Sequence, residues 1–147
     1  MKNARVTTCL LGFLVLATCG FQIARGNADD KAAKSKGRLF ELRTYTAAPG
    51  KLDALNARFR DHTNKLFVKH GIELVGYWTP TDGEAAKNTL IYILAFPDKD
   101  SREKSWKAFQ SDPDWQKAKA ESEKDGPLLA KAPDSVMLQP TDYSPIR

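Results

Sequence analysis

Glu41, Arg43 and Tyr45 occupy alternate positions of one apolar segment, a spacing that could hold an anionic ligand. In an extended strand, residues two apart line one face, so a carboxylate, a guanidinium and a phenol project together. An arginine fork grips a carboxylate through two parallel hydrogen bonds. Arg43 and Tyr45 are therefore candidate anchors, and Glu41 is a candidate polarising group. The same residues also suit a buried Glu–Arg ion pair that fixes the register of a dimer. His62 is the candidate acid/base: imidazole titrates near neutral pH, and this one follows Phe59 by three residues, beside an apolar helical stripe. Its other reading is a helix-face histidine bonded to sheet backbone. His70 precedes Gly71 at a helix C-terminus, where a cation favours the dipole, and this explains it without a ligand role.

Tyr77 and Trp106 complete the candidate ligand-binding set. With Trp78, Tyr92, Phe109 and Trp115 they form an aromatic group expected mostly in the core or a dimer interface, with Trp106 and Trp115 rimming a pocket mouth. The chain has two histidines and two cysteines, without the spacing of a metal site, a serine-nucleophile motif or a glycine-rich phosphate loop. No metal and no cofactor are expected, although one axial histidine for haem stays open.

The elements that must position these groups follow from periodicity. Residues 39–46 (LFELRTYT) read as a strand that Pro49-Gly50 breaks. Leu52, Leu55, Phe59, Leu66 and Phe67 recur near a 3.6-residue spacing and predict a helix over 52–70, with Gly71 as its left-handed stop. Strands are expected at 73–79 and 89–96, joined by a loop containing Asp82-Gly83. Asp100 resembles the cap of a next helix. Asp112-Pro113 restarts another that runs to about Lys124, and a last strand spans 135–139. The order is β-α-β-β-α-β, a ferredoxin-like α+β fold with an antiparallel sheet and helices on one face. Strands 2 and 3 are apolar on both faces, so the uncovered side calls for a second copy packed sheet to sheet. Phe40, Leu42 and Thr44 are expected under the helices, leaving Glu41, Arg43 and Tyr45 between the two sheets.

The N-terminus carries a different signal. Lys2 and Arg5 precede an apolar run from Val6 to Phe21. This is the layout of a secretory signal, and it is short of the roughly 20 apolar residues that a stable membrane span needs. Small residues favour cleavage after Gly26 or Ala28. Leu16-Ala17-Thr18-Cys19 also approaches a lipobox, which makes lipid anchoring at Cys19 the minor alternative. Residues 1–28 are therefore expected to be a signal peptide, 29–38 a flexible linker and 39–147 the folded domain, secreted or periplasmic. Cleavage removes both cysteines and three cations (Lys2, Arg5, Arg25), taking the formal charge from +5 to +2. Acids and bases are interspersed in the remainder, which excludes a nucleic-acid surface.

Several blocks appear together in order: Phe40-Glu41-Leu42-Arg43-Thr44-Tyr45, Pro49-Gly50-Lys51, Arg58-Phe59-Arg60-Asp61-His62, Val75-Gly76-Tyr77-Trp78, Trp106-Lys107-Ala108-Phe109 with Asp112-Pro113-Asp114-Trp115, and Gln139 through Pro145. Over about residues 39–145 the chain closely resembles the NIPSNAP family. The resemblance implies a dimeric α+β barrel and brings no defined activity. Its animal members are mitochondrial proteins linked to vesicle traffic and mitophagy signalling, roles that the export segment argues against transferring. The wider superfamily holds cofactor-free monooxygenases, small isomerases and haem-handling enzymes, which is an analogy of fold. Two functions follow as expectations. The first is a homodimeric module of unknown molecular function that binds a small ligand or a partner. The alternative is a cofactor-independent monooxygenase or isomerase acting on a small aromatic or oxo compound, with His62 as acid/base and Arg43 and Tyr45 as anchors.

Overall fold

Alternating apolar and polar residues place Leu39–Thr46 in strand β1, and β-branched residues do the same for Thr89–Phe96 in β3. These two central strands pair antiparallel along their whole length, with Arg43 opposite Tyr92. Strand β2 (Glu73–Trp78) borders β3, and β4 (Asp134–Leu138) borders β1, giving the sheet order β2-β3-β1-β4 with every pairing antiparallel. This is the expected split-βαβ order. The computed structural model describes residues 37–147; the export segment, both cysteines and most of the linker expected from the sequence lie outside the described residues.

Helix α1 spans residues 52–69 and is interrupted by a π turn at Phe59–Thr63. The hydroxyl of Thr63 donates to the Arg58 carbonyl at 3.2 Å, closing that turn from the side. Gly71, at φ +73°, ends the helix as the sequence predicts. A one-turn helix, α2 (Ala85–Asn88), occupies the end of the segment expected to be loop. Helix α3 (Lys99–Gln110) starts earlier than predicted, and its cap is Asp98 rather than Asp100. The Asp98 side chain accepts from the Ser101 amide at 2.7 Å, whereas Asp100 lies already inside the first turn. Helix α4 (Pro113–Ser122) begins as expected, with Asp112 accepting from the Asp114 amide at 2.8 Å and proline at the first position.

Asp112 does more than cap. Its other oxygen takes His70 Nε2 at 2.6 Å and Lys69 Nζ at 2.8 Å, so the end of α1 is tied to the start of α4. Hydrogen bonds from Lys69 and His70 hold its carboxyl far below the usual carboxylate range, against the opposing effect of burial. His70 therefore has a partner, and its place at the helix end agrees with the dipole reading.

The helices cover one face of the sheet, and the register shows which. Glu41, Arg43 and Tyr45 lie opposite Leu94, Tyr92 and Leu90, and this row packs under the helices with Leu55, Phe59, Phe67 and Phe109. The sequence expectation had the faces of β1 reversed. Alternation states which residues travel together but not which set is covered, and here the row with the two charged residues is covered because α3 supplies partners for them. The open face carries Phe40, Leu42, Thr44, Ile91, Ile93, Val136, Leu138 and Trp78. Strand β2 joins the sheet through a register shift between Leu74 and Gly76. That bulge lets Leu74 and Tyr77, three residues apart, both reach the helix side.

Candidate functional site

Glu41 is fully buried, and its carboxylate is saturated. Arg102 donates Nε to Oε2 at 2.7 Å and Nη2 to Oε1 at 2.8 Å, the bidentate geometry of a guanidinium fork. Trp106 donates its indole N–H at 2.8 Å, Ser135 its hydroxyl at 2.6 Å, and Arg43 its Nη1 at 2.9 Å. Arg102 and Trp106 stand four apart on α3, so one helix face presents both. Ser135 comes from β4, directly across from Arg43. Burial alone would raise the Glu41 pKa, but the hydrogen bonds from Arg102, Ser135 and Trp106 and the charge of Arg43 bring it down to about 2. A carboxylate so held neither accepts nor releases a proton near neutral pH. The ion-pair reading of Glu41 and Arg43 is the one this geometry supports, with the partners coming from within one chain. Arg43 also lies over the ring of Trp106, 4.6 Å from its centroid.

Tyr45 goes elsewhere. It lines a cavity of about 310 Å³ between α1, α4 and the loop leading to β4. Phe59, Phe67, Phe109 and Trp115 supply its aromatic walls, and Arg58, Thr63, Lys119 and Glu123 its polar groups. Arg58 is 4% exposed. Its Nη1 reaches Glu123 at 2.7 Å and Ser122 at 3.4 Å, and its guanidinium lies 5.3 Å from the Trp115 centroid. Its Nε is buried without a hydrogen-bond partner among the described residues. The π turn is what allows this arrangement, since it sets Arg58 and Thr63, five residues apart, against one space.

The expected site residues are thus distributed over different places. Glu41, Arg43 and Trp106 share one closed cluster, and Tyr45 faces the cavity. Tyr77 stacks on Tyr92 (centroids 5.4 Å apart) and borders a different cavity at the β2 edge. His62 is exposed and lines a surface groove with Asp114, Lys117, Ala118 and Glu121, where none of the other expected site residues is present. Trp115 lines the aromatic cavity. Arg58, Thr63, Arg102 and Ser135 were not singled out from the sequence. For Arg58 a signal existed: it falls three residues after Leu55 and one before Phe59, an inward position for a charged side chain. Among the described residues, no three His, Cys, Asp or Glu side chains come together as a metal site, and no helix is long and apolar enough to cross a membrane.

The NIPSNAP family model matches residues 40–145, and the chain belongs to that family. Among solved structures, it is similar to a NIPSNAP family protein of unknown function from Agrobacterium tumefaciens, at 25% identity and a TM-score of 0.65, covering 76% of this chain and 96% of that one. An uncharacterized NIPSNAP-like domain protein from Burkholderia xenovorans is similar at 20% identity and a TM-score of 0.65, covering 75% and 90%. A monooxygenase from Streptomyces coelicolor, solved in complex with nanaomycin D, shares the fold at 14% identity and a TM-score of 0.52, covering 74% and 92%. The curated proteins give no match.

The Glu41 cluster has a measurable consequence. A folded-state pKa of about 2 against an ordinary 4.5 is worth on the order of 3 kcal/mol at neutral pH. That stability is complete above pH 4.5 and is lost as pH falls toward 2. Glu41→Gln leaves two half-buried guanidinium groups, Arg43 and Arg102, without their counter-charge and is expected to cost about 3 kcal/mol. In urea titrations the gap between the wild type and this variant should be widest near pH 7 and close as pH drops from 4.5 to 2; a gap independent of pH would contradict the assignment.

Proposed function

We propose that this NIPSNAP-family domain is a small-ligand binding module. Its site is the aromatic cavity beside Arg58, and it takes a flat, largely apolar molecule carrying an oxyanion. The observation that carries this reading is the buried Nε–H of Arg58, which has no hydrogen-bond partner among the described residues, on a side chain that lines a cavity walled by Tyr45, Phe59, Phe67, Phe109 and Trp115. Leaving such a donor unpaired costs about 1–3 kcal/mol, and an oxyanion placed there removes that cost. The rings supply the apolar contact. Apolar walls with a few convergent polar groups are the usual make-up of a ligand pocket.

The second reading, a cofactor-independent monooxygenase or isomerase, draws on the fold shared with the S. coelicolor enzyme. Its requirement is a base beside the ligand. Neither histidine lines the cavity, and among the described residues the one carboxylate that does, Glu123, is paired with Arg58 at 2.7 Å. Binding without turnover is therefore preferred. The basic and apolar pattern of the first 28 residues supports export in this reading, and the family's mitochondrial roles are not carried over.

The domain also works as a homodimer in this proposal, with the open sheet faces as the interface. That face leaves Trp78 51% and Val136 50% exposed, beside Leu138, Leu42, Ile91 and Ile93. Trp78 folds back over Gly76, where an added Cβ would come within 2.6 Å of the ring, so the glycine keeps this part of the face flat.

Calorimetry with 2-naphthoate as the probe tests the binding reading. Wild type should bind, Arg58→Lys should bind at least tenfold more weakly because it loses the Nε donor, and His62→Ala should match wild type. Absence of binding to wild type would sink the proposal, and oxygen uptake with 1,4-dihydroxynaphthalene that Arg58→Lys abolishes would favour the oxygenase instead. Light scattering checks the interface: the wild-type domain should run at twice its chain mass, and Val136→Asp, which puts a charge in the middle of the face, at one.

A further inference from the structure

A second cavity, of about 270 Å³, opens at the β2 edge of the sheet on the other side of Phe59 from the aromatic one. Asn56, Arg60 and Asn64 line it from α1, Tyr77 from β2 and Leu90 from β3. Two of its lining residues carry a buried polar atom, Asn64 Oδ1 and the Tyr77 hydroxyl, without a hydrogen-bond partner among the described residues. Buried polar atoms are nearly always paired, and two orphans on one cavity point to something held there. Tyr77 is fixed by its stack on Tyr92 and an edge contact with Phe59 at 5.8 Å. Burial pushes its hydroxyl well above the ordinary tyrosine range, so it stays protonated and able to donate. Arg60 is exposed where it borders the cavity and pairs with no carboxylate among the described residues. Phe59 and Leu90 are the apolar part of the wall.

We propose that this cavity is a second ligand site, for a 2-hydroxy carboxylic acid with a short apolar tail. The carboxylate meets the Arg60 guanidinium and accepts from the Tyr77 hydroxyl. The 2-hydroxyl donates to Asn64 Oδ1, which is otherwise an unsatisfied acceptor. The tail lies against Phe59 and Leu90. The cavity holds several times the roughly 30 Å³ that one water takes up, which leaves space for a molecule of this kind. The site is separate from the aromatic cavity, whose lining arginine is Arg58 rather than Arg60.

A matched pair of acids separates the contributions. In calorimetry, 2-hydroxy-4-methylpentanoate should bind the protein at least tenfold more tightly than 4-methylpentanoate, which differs by the hydroxyl alone. Asn64→Ala should erase that preference. Arg60→Gln, a change at an exposed position that leaves the fold intact, should weaken both acids about tenfold and preserve their ratio. Arg58→Lys should change neither, so that failure of this site and failure of the aromatic one are told apart. Equal binding of the two acids, binding of neither, or binding of both unaltered by Arg60→Gln would each overturn the proposal, the cavity then holding water alone.

Discussion

A glutamate carboxylate buried in the middle of β1 must be neutralised and hydrogen-bonded on every side, because an unpaired charge in that position would cost more than a small domain can tolerate. Glu41 meets this demand by drawing on three elements at once: Arg43 on its own strand, Arg102 and Trp106 on α3, and Ser135 on β4. The edge strand β4 is exposed along its whole length, with its five residues all open to solvent, and Ser135 is its polar link to the interior. The same cluster fixes where α3 sits on the sheet, because two donors four residues apart must both face one carboxylate. From α3 the chain turns directly into α4 at Asp112, so the placement of Trp115 against the aromatic cavity descends from Glu41 through rigid connections.

Asp112 is the second such tie, and it acts on the same helix from the other end. It accepts from the Asp114 amide in the first turn of α4 and also receives Lys69 and His70 from the end of α1. With α3 set by Glu41 and α4 set by Asp112, the space between α1, α4 and β1 is held open by polar contacts at its margins. Aromatic rings line that space without filling it. Phe67, Phe109 and Trp115 approach one another at centroid distances of 4.7 and 4.5 Å, and Tyr45 meets Phe59 edge-on at 5.7 Å. Tilted and edge-on rings of this kind make firm walls, since each pair has a preferred angle that sliding would lose.

The element order was legible from periodicity: strands at 39–46 and 89–96, the stop at Gly71 and the restart at Asp112-Pro113 rest on local chemistry that tertiary context did not override. The face of β1 was not. Glu41, Arg43 and Tyr45 were expected between two sheets because Phe40, Leu42 and Thr44 read as the row under the helices, and it is Arg102 and Trp106, about sixty residues on, that make the helix-side orientation of Glu41 stable. Neither was identifiable as a partner without the register of β1 against α3. The π turn was hidden for another reason: one extra residue in a helical turn leaves the apolar stripe nearly intact, so Leu55, Phe59, Leu66 and Phe67 fit an ordinary helix. His62 looked close to that stripe by counting and sits on the exposed side of the bulge.

That one extra residue has consequences on both sides of Phe59. A regular helix repeats its faces every three to four residues, which would set Thr63 in line with Phe59 and leave Arg58 to one side of it. Widening the turn to five residues brings Thr63 back toward Arg58, with its hydroxyl on the Arg58 carbonyl. The polar residues of α1 then fall into two groups. Arg58 and Thr63 line the aromatic cavity, while Asn56, Arg60 and Asn64 line the cavity at the β2 edge. Phe59, the residue at which the π turn begins, borders both and packs against Tyr45 on one side and Tyr77 on the other. A single irregularity in one helix therefore divides the space under it into two chemically distinct halves, and it does so without spending any residue of the sheet on the partition.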